Sequence, residues 1–188
     1  GFEGEVYNLK KDGTPFWTFG KVTVHDHPEF GKILVSVQRD ISERKMMEEK
    51  LRWQATHDHL TGLYNRRYFE SFLEKEIGSV KRSGIMSAVV YLDLDRFKYV
   101  NDTAGHEVGD QLLIDLSQEV NKHLRRHDIA ARIGGDEFAL ILKNVDQDMA
   151  VNIADEIRNS LSSLRVHHED KNYHVNASFG VAMMEDAE

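Results

Sequence analysis

Arg132-Ile133-Gly134-Gly135-Asp136-Glu137-Phe138 is the stretch on which the reading of this chain turns. Apolar runs flank it, Ile129-Ala130-Ala131 before and Phe138-Ala139-Leu140-Ile141-Leu142 after, so the two adjacent glycines read as the tight turn of a β-hairpin. The turn carries two carboxylates side by side. Adjacent anions on a bare glycine backbone repel unless a cation or a donor-rich ligand sits among them, which makes the tip a candidate site for a hard metal and a phosphate chain. The plainer reading is a solvated hairpin whose acids keep the tip soluble, and the partners supplied by the rest of the chain decide between the two.

A length of 188 residues suggests one full domain plus a piece of another, and 40% hydrophobic content suffices for a globular core. The absence of cysteine removes disulfides and thiolate metal sites and fits a reducing compartment, so a cytoplasmic location is expected. No apolar run reaches membrane-spanning length and no signal peptide opens the chain, so no membrane contact is expected within this segment. The chain begins at Gly1 rather than Met and reads as an excerpt, with any membrane tether lying outside it. A net charge of -8 argues against a nucleic-acid binder, which needs a basic face to displace counterions. A nucleotide ligand stays open, because a metal ion can bring phosphates to an acidic site. Ten histidines include His57-x-His59 and His167-His168, but His-Glu-x-x-His is absent, which speaks against zinc. Ser178 lacks a hydrolase elbow, and there is no Walker sequence to hold phosphates.

From the N-terminus, residues 4–9, 14–24 and 32–38 are β-branched and aromatic runs separated by Lys11-Asp12-Gly13 and His27-Pro28. They read as three antiparallel strands. Asp40, at capping-box spacing from Glu43, is expected to start a helix through Gln54, with Ile41, Met47, Leu51 and Ala55 as a sparse apolar stripe. That helix is either a signalling helix pairing with its copy in a dimer or a solvated linker.

Next, Gly62 permits a turn and Asn65 can cap a helix running to about Ile77, with Phe69, Phe72, Leu73 and Ile77 on its apolar face. Ala88-Val89-Val90-Tyr91-Leu92 reads as a strand buried on both faces, ending in Asp93-Leu94-Asp95 where a core opens to solvent. Asp95 can cap the following short helix, whereas Asp93 has no such structural role. Val108, Leu112, Leu116 and Val120 mark a long helix, and Met149, Ile153, Ile157, Leu161 and Leu164 another. Tyr173, Val175, Ala177, Phe179 and Val181 alternate as a final strand. This order predicts an α+β fold with helices packed on a mostly antiparallel sheet.

Five blocks, in order, resemble the GGDEF family of diguanylate cyclases: Asp58-x-Leu-Thr-Gly-Leu-x-Asn-Arg-Arg67, Asp93-Leu-Asp-Arg-Phe-Lys98 with Asn101-Asp102, Gly105-His-x-x-Gly-Asp110, Arg132-x-Gly-Gly-Asp-Glu-Phe138, and Ala177-Ser-Phe-Gly180. The resemblance implies a palm-like, nucleotidyl-cyclase-like fold over residues 58–188. Ahead of it, Lys10-Lys11-Asp12-Gly13, Trp17 and Arg39-Asp40-Ile41-Ser42-Glu43-Arg44-Lys45 resemble the C-terminal half of a PAS sensor, giving a PAS piece at 1–40 and a linker helix at 41–57. In the family a further strand and helix with basic residues follow, so a stop at Glu188 implies a truncated C-terminus.

The resemblance implies condensation of two GTP into cyclic di-GMP with release of two pyrophosphates by a homodimer using Mg2+, or Mn2+ in its place. Such chemistry is mainly positioning and charge neutralisation. Asp93 and Asp136 are expected to bind the metal, with the Leu94 carbonyl completing the family pattern. Glu137 is either a second ligand or the proton acceptor. A carboxylate accepts the paired N1–H and N2–H of guanine and is left unpaired by adenine, so Asp110 is a candidate base selector, with Asn101 suited to the same base. Their structural alternatives are a helix C-cap for Asn101 and a first-turn dipole charge for Asp110. The family places Phe97 and Lys98 by the triphosphate. Arg125-x-x-Asp128 has the spacing of the family's product-inhibition site, where an arginine fork and a carboxylate suit phosphate and guanine edges. A regulatory module that binds GTP or the cyclic dinucleotide without turnover is the alternative.

Overall fold

A computed structural model describes residues 1–168, 171–174 and 176–185, and the chain divides into two compact units, Gly1–Ala55 and Thr56–Glu188. In the first, β1 (Phe2–Leu9), β2 (Pro15–His27) and β3 (Gly31–Asp40) form an antiparallel sheet in that order. The first turn is closed by Lys10 N–H donating to the Thr14 carbonyl (2.8 Å), with Gly13 at φ 84°. The helix that follows, α1 (Ser42–Thr56), starts one residue after the expected linker start at Ile41. Asp40 stays in β3 and its carboxylate accepts from Ser42 N–H (2.8 Å), while Ile41 N–H is drawn to the Trp17 carbonyl (2.9 Å). Asp40 thus caps the helix from the end of β3, through the Ser42 N–H. No residue of α1 is buried, and Met47 and Leu51 are each 57% exposed.

The second unit is built on a five-stranded sheet in the order β10-β5-β7-β6-β4. Its strands are β4 (Tyr64–Asn65), β5 (Ser87–Leu94), β6 (Ile129–Arg132), β7 (Glu137–Leu142) and β10 (Ala177–Met184). Among the described residues of this sheet, only the β4–β6 pairing is parallel. Helices α3 (Phe97–Ala104), α4 (His106–His123) and α5 (Gln147–Ser162) follow β5 and β7. One face of the sheet buries Ala88, Val90, Leu92 and Leu94 of β5 with Phe138, Leu140 and Leu142 of β7, against Val108, Leu112, Leu116 and Val120 of α4 and Ile157 of α5. The other face sets Ile129, Ala131, Ala139 and Ile141 against Phe69 of α2 (Arg66–Ser83). The result is the expected α+β arrangement with helices on a mostly antiparallel sheet.

Four expectations need correction. β5 is fully buried only on its α4 side, because the α2 cluster takes in Val89 but leaves Tyr91 39% exposed. Helix α2, capped as expected by Asn65 accepting from Tyr68 N–H (3.0 Å), passes through Gly78 and ends at Gly84 (φ 68°). Burial of Val80 outweighs the cost of one helical glycine. In α5 the buried stripe is Ala150, Ala154, Ile157 and Leu161 rather than one beginning at Met149, and Leu164 lies beyond the helix. The final strand is two: Tyr173 closes β9 (Lys171–Tyr173), paired with β8 (Val166–His168), and β10 begins at Ala177, while Val175 lies outside the described residues.

Between α2 and the sheet sits a buried carboxylate that the sequence did not single out. Glu76 accepts from the Ser87 hydroxyl (2.8 Å) and pairs with the Lys143 ammonium (2.9 Å). Removing it strands a buried hydroxyl and an ammonium, so Glu76→Ala should cost about 2–4 kcal/mol in urea denaturation. Glu70→Ala, which breaks the exposed pair with Arg66, should stay within about 0.5 kcal/mol of wild type.

Candidate active site

The hairpin tip differs from a two-residue turn. Arg132 and Phe138 are the last paired residues, leaving Ile133 to Glu137 as the reversal, and the Glu137 carbonyl accepts from Ile133 N–H (2.8 Å) and Gly134 N–H (3.3 Å). Neither Gly134 nor Gly135 has a left-handed φ. What glycine at 134 gives is clearance: a Cβ there would collide with the Glu137 carboxylate where it now stands. The Gly135 carbonyl accepts from Arg132 Nη2 (2.8 Å) and Nε (3.2 Å), and Arg132 Nη1 reaches Asp58 Oδ1 (3.2 Å). Asp58 also accepts from Thr61 N–H (2.9 Å) and the Thr61 hydroxyl (2.7 Å). Burial pushes the Asp58 carboxyl up, but the Thr61 bonds and the Arg132 guanidinium outweigh it and hold the pKa below its ordinary value. Asp58, held by Thr61, thus anchors the tip through Arg132; the three-residue spacing signals the side-chain turn but not the contact with Arg132.

Asp93 stands directly across from Glu137 in the β5–β7 register, and Leu94 N–H donates to the Asp136 carbonyl (3.1 Å). Three half-buried carboxylates therefore meet at one end of the sheet. Burial, then the charges of Asp136, Glu137 and Asp95, push the Asp93 carboxyl above its ordinary range. Tyr91, two residues earlier on the same face, has its hydroxyl pushed up to about 12, chiefly by hydrogen bonding to the Glu137 carboxylate. The sequence reading passed over Tyr91 as one more apolar strand residue. Asp95 does not cap α3. It accepts from the Ser178 hydroxyl (2.8 Å) while its N–H donates to the Asn176 carbonyl (2.8 Å), and the capping position falls to Arg96 at φ 59°. Asp93, Asp95, Arg96 and Tyr99 line a cavity of about 820 Å³, within the range of small-molecule sites.

The remaining candidates lie on α3 and α4. Phe97 is buried in the core, so only its backbone is available to a ligand, whereas the Lys98 side chain is exposed. Asn101 is not the cap of α3: that position is Gly105, whose N–H donates to the Asn101 carbonyl (3.0 Å), leaving the carboxamide free of a capping role. Asp110 is exposed and lies past the first turn of α4, where Glu107 supplies the acid. Asp136, Glu137, Asn101 and Asp110 lie outside the lining of the cavity, so of the three half-buried carboxylates Asp93 is the one that lines it. Arg125 is exposed, but Asp128 braces its own turn, with Oδ2 accepting from Arg125 N–H (2.8 Å) and Oδ1 from Lys143 N–H (3.1 Å). Among the described residues no three His, Cys, Asp or Glu side chains form a ready-made metal cage. Two carboxylates at a strand end are nonetheless the donor set suited to Mg2+, which keeps waters and substrate phosphates in its shell.

Comparison with known proteins accords with this geometry. DgcE of Escherichia coli, a probable diguanylate cyclase, is 36% identical over 183 residues, 97% of this chain and 16% of that protein. DgcM of Escherichia coli, a diguanylate cyclase, is 36% identical over 137 residues, 72% of this chain and 33% of that protein. The chain thus spans from 16% to 33% of the length of these curated relatives. The crystal structure of the coiled coil and GGDEF domain of DgcB from Caulobacter crescentus, in complex with c-di-GMP, matches with a TM-score of 0.73 at 29% identity, covering 79% of each chain. The family described as diguanylate cyclase, GGDEF domain, matches residues 55–188, more than half of the chain. The chain belongs to the GGDEF family.

Proposed function

We propose that the Thr56–Glu188 unit binds GTP with Mg2+, or Mn2+ in its place, and that two subunits facing each other condense two GTP into cyclic di-GMP and two pyrophosphates. The observation that carries this reading is the crowding of Asp93, Asp136 and Glu137 at one sheet end, where burial and then the charges of its neighbours keep the Asp93 carboxyl raised. A bound divalent cation would supply charge neutralisation at the phosphates.

The chain's own residues then divide the work. Asp93 and Asp136 hold the cation, with the Leu94 carbonyl, and Glu137 is either a further ligand or the acceptor of the 3′-hydroxyl proton. Gly134 and Tyr91 fix the Glu137 carboxylate for either role. Asn101 and Asp110 read the guanine edge, while the Phe97 backbone and the Lys98 ammonium lie by the triphosphate. When a 3′-oxygen attacks the partner's α-phosphorus in line, the new P–O bond forms as the bond to pyrophosphate breaks. A homodimer follows from this chemistry, because each site holds one triphosphate and each 3′-hydroxyl must meet the other's α-phosphorus.

Residues 1–40 are assigned to a PAS sensor and 41–57 to its signalling helix, in a cytoplasmic chain that binds no nucleic acid. The three antiparallel strands support this assignment. No described helix is long and apolar enough to cross a membrane. Arg125 and Asp128 form an inhibitory site for the product. Its arginine is exposed and its carboxylate is already bonded to two N–H groups, so recognition there leans on Arg125.

The direct test is pyrophosphate release from GTP with Mg2+. Asp136→Ala should lower it at least about a hundredfold through loss of charge stabilisation, with little change in melting temperature. GTP binding without pyrophosphate release by the wild type would leave a regulatory module in place of an enzyme.

Asp93 gives a stability prediction of definite sign. A carboxyl whose folded pKa is raised destabilises the fold once ionised, so the penalty is absent below the ordinary Asp pKa of about 3.9 and grows as pH rises through the raised value. In metal-free buffer Asp93→Asn should therefore melt higher than wild type at pH 7, with the difference vanishing near pH 3, while turnover is lost. Excess cyclic di-GMP should slow the wild type. Arg125→Ala should keep the uninhibited rate but require at least about tenfold more product for the same inhibition, as expected for loss of a charge-assisted pair.

A further inference from the structure

Gly109 is the fourth residue of α4, and no turn requires a glycine there. It is buried, its φ is not left-handed, and it lies in a helix, where glycine is the poorest residue after proline. The reason stands across the α3–α4 corner. A Cβ on Gly109 would collide with Asn101 Oδ1 and lie 3.0 Å from Asn101 Cγ and 3.2 Å from Phe97 Cζ. Phe97 and Asn101 are one turn apart on α3 and so present one face to α4. The ring enters the core, and the carboxamide rests on the bare Cα of Gly109, the residue before Asp110. Backbone bonds from Gly105 N–H to the Asn101 carbonyl (3.0 Å) and from Gly109 N–H to the Gly105 carbonyl (3.3 Å) fix the corner.

We propose that Gly109 is a positioning residue for base specificity: its missing side chain lets the Asn101 carboxamide settle beside Asp110, so that both read one guanine edge. The proposal rests on the reading of Asn101 and Asp110 as the base-binding pair. A methyl group at 109 meets two neighbours that yield unequally. The Phe97 ring is held by the core, whereas the Asn101 carboxamide is the free end of a short side chain and moves. Crowding is therefore relieved at the cost of recognition rather than of the fold.

The test measures affinity of the full chain for non-hydrolysable GTP and ATP analogues with Mg2+, together with melting temperature. The variants are Gly109→Ala, Asn101→Ala and the double variant. Gly109→Ala should weaken the GTP analogue roughly tenfold, as for one lost hydrogen bond, leave the ATP analogue nearly unchanged, and melt no lower than wild type. The double variant should bind no worse than Asn101→Ala, because both changes remove the same contact. Unaltered preference in Gly109→Ala overturns the proposal, as does additivity in the double variant. Equal loss for both nucleotides with a lowered melting temperature also overturns it, since that marks a merely structural glycine. If Asn101→Ala itself keeps the full preference for the GTP analogue, the base-binding assignment fails and takes the proposal with it.

Discussion

The antiparallel pairing of β5 with β7 is the constraint on which the rest of the second unit depends. It sets Ala88, Val90 and Leu92 against Leu142, Leu140 and Phe138 on one face, and Val89, Tyr91 and Asp93 against Ile141, Ala139 and Glu137 on the other. Because side chains alternate, a slip by one residue would turn Asp93 into the helix-packed core and Leu92 out of it. The apolar contacts that hold the fold therefore also hold two carboxylates face to face. Along the second face the residues grade from Val89 and Ile141, packed near α2, to the acids at the rim.

Such an arrangement crowds half-buried acids, so that burial and then the neighbouring charges raise the Asp93 carboxyl, and the surrounding structure is built to tolerate it. The Arg132 guanidinium spans the Gly135 carbonyl and Asp58, so the tip that carries Asp136 is tied to the first turn of the unit rather than left to recoil. Gly134 and Gly109 act in the same way at two separate places. Neither supplies a left-handed turn, and each clears space for a polar side chain, Glu137 in one case and Asn101 in the other.

The sequence made the antiparallel-rich α+β class legible because alternation and helical periodicity are local signals. The hairpin around Gly134-Gly135 was legible for the same reason, but its geometry was not, since adjacent glycines signal freedom without saying whether φ or clearance demands it. Spacing alone makes Asp40 and Asp95 candidate helix caps. Asp40 does bond the first N–H of α1, whereas Asp95 is claimed by Ser178, a strand neighbour some eighty residues away that no local pattern reveals. Tyr91, Asp58 and Glu76 escaped notice for a related reason: their partners, Glu137, Arg132 and Lys143, are brought to them only by the sheet.

If the crowded carboxylates are a site completed by a cation and a triphosphate together, the two ligands must favour each other's binding. Calorimetric titration of the full chain with a non-hydrolysable GTP analogue, with and without saturating Mg2+, measures that coupling. The predicted result is affinity tighter by about tenfold or more with Mg2+, with the gain lost when Asp93 is changed to Asn. Equal affinity with and without Mg2+, or a gain that survives the substitution, would contradict a cation site at Asp93.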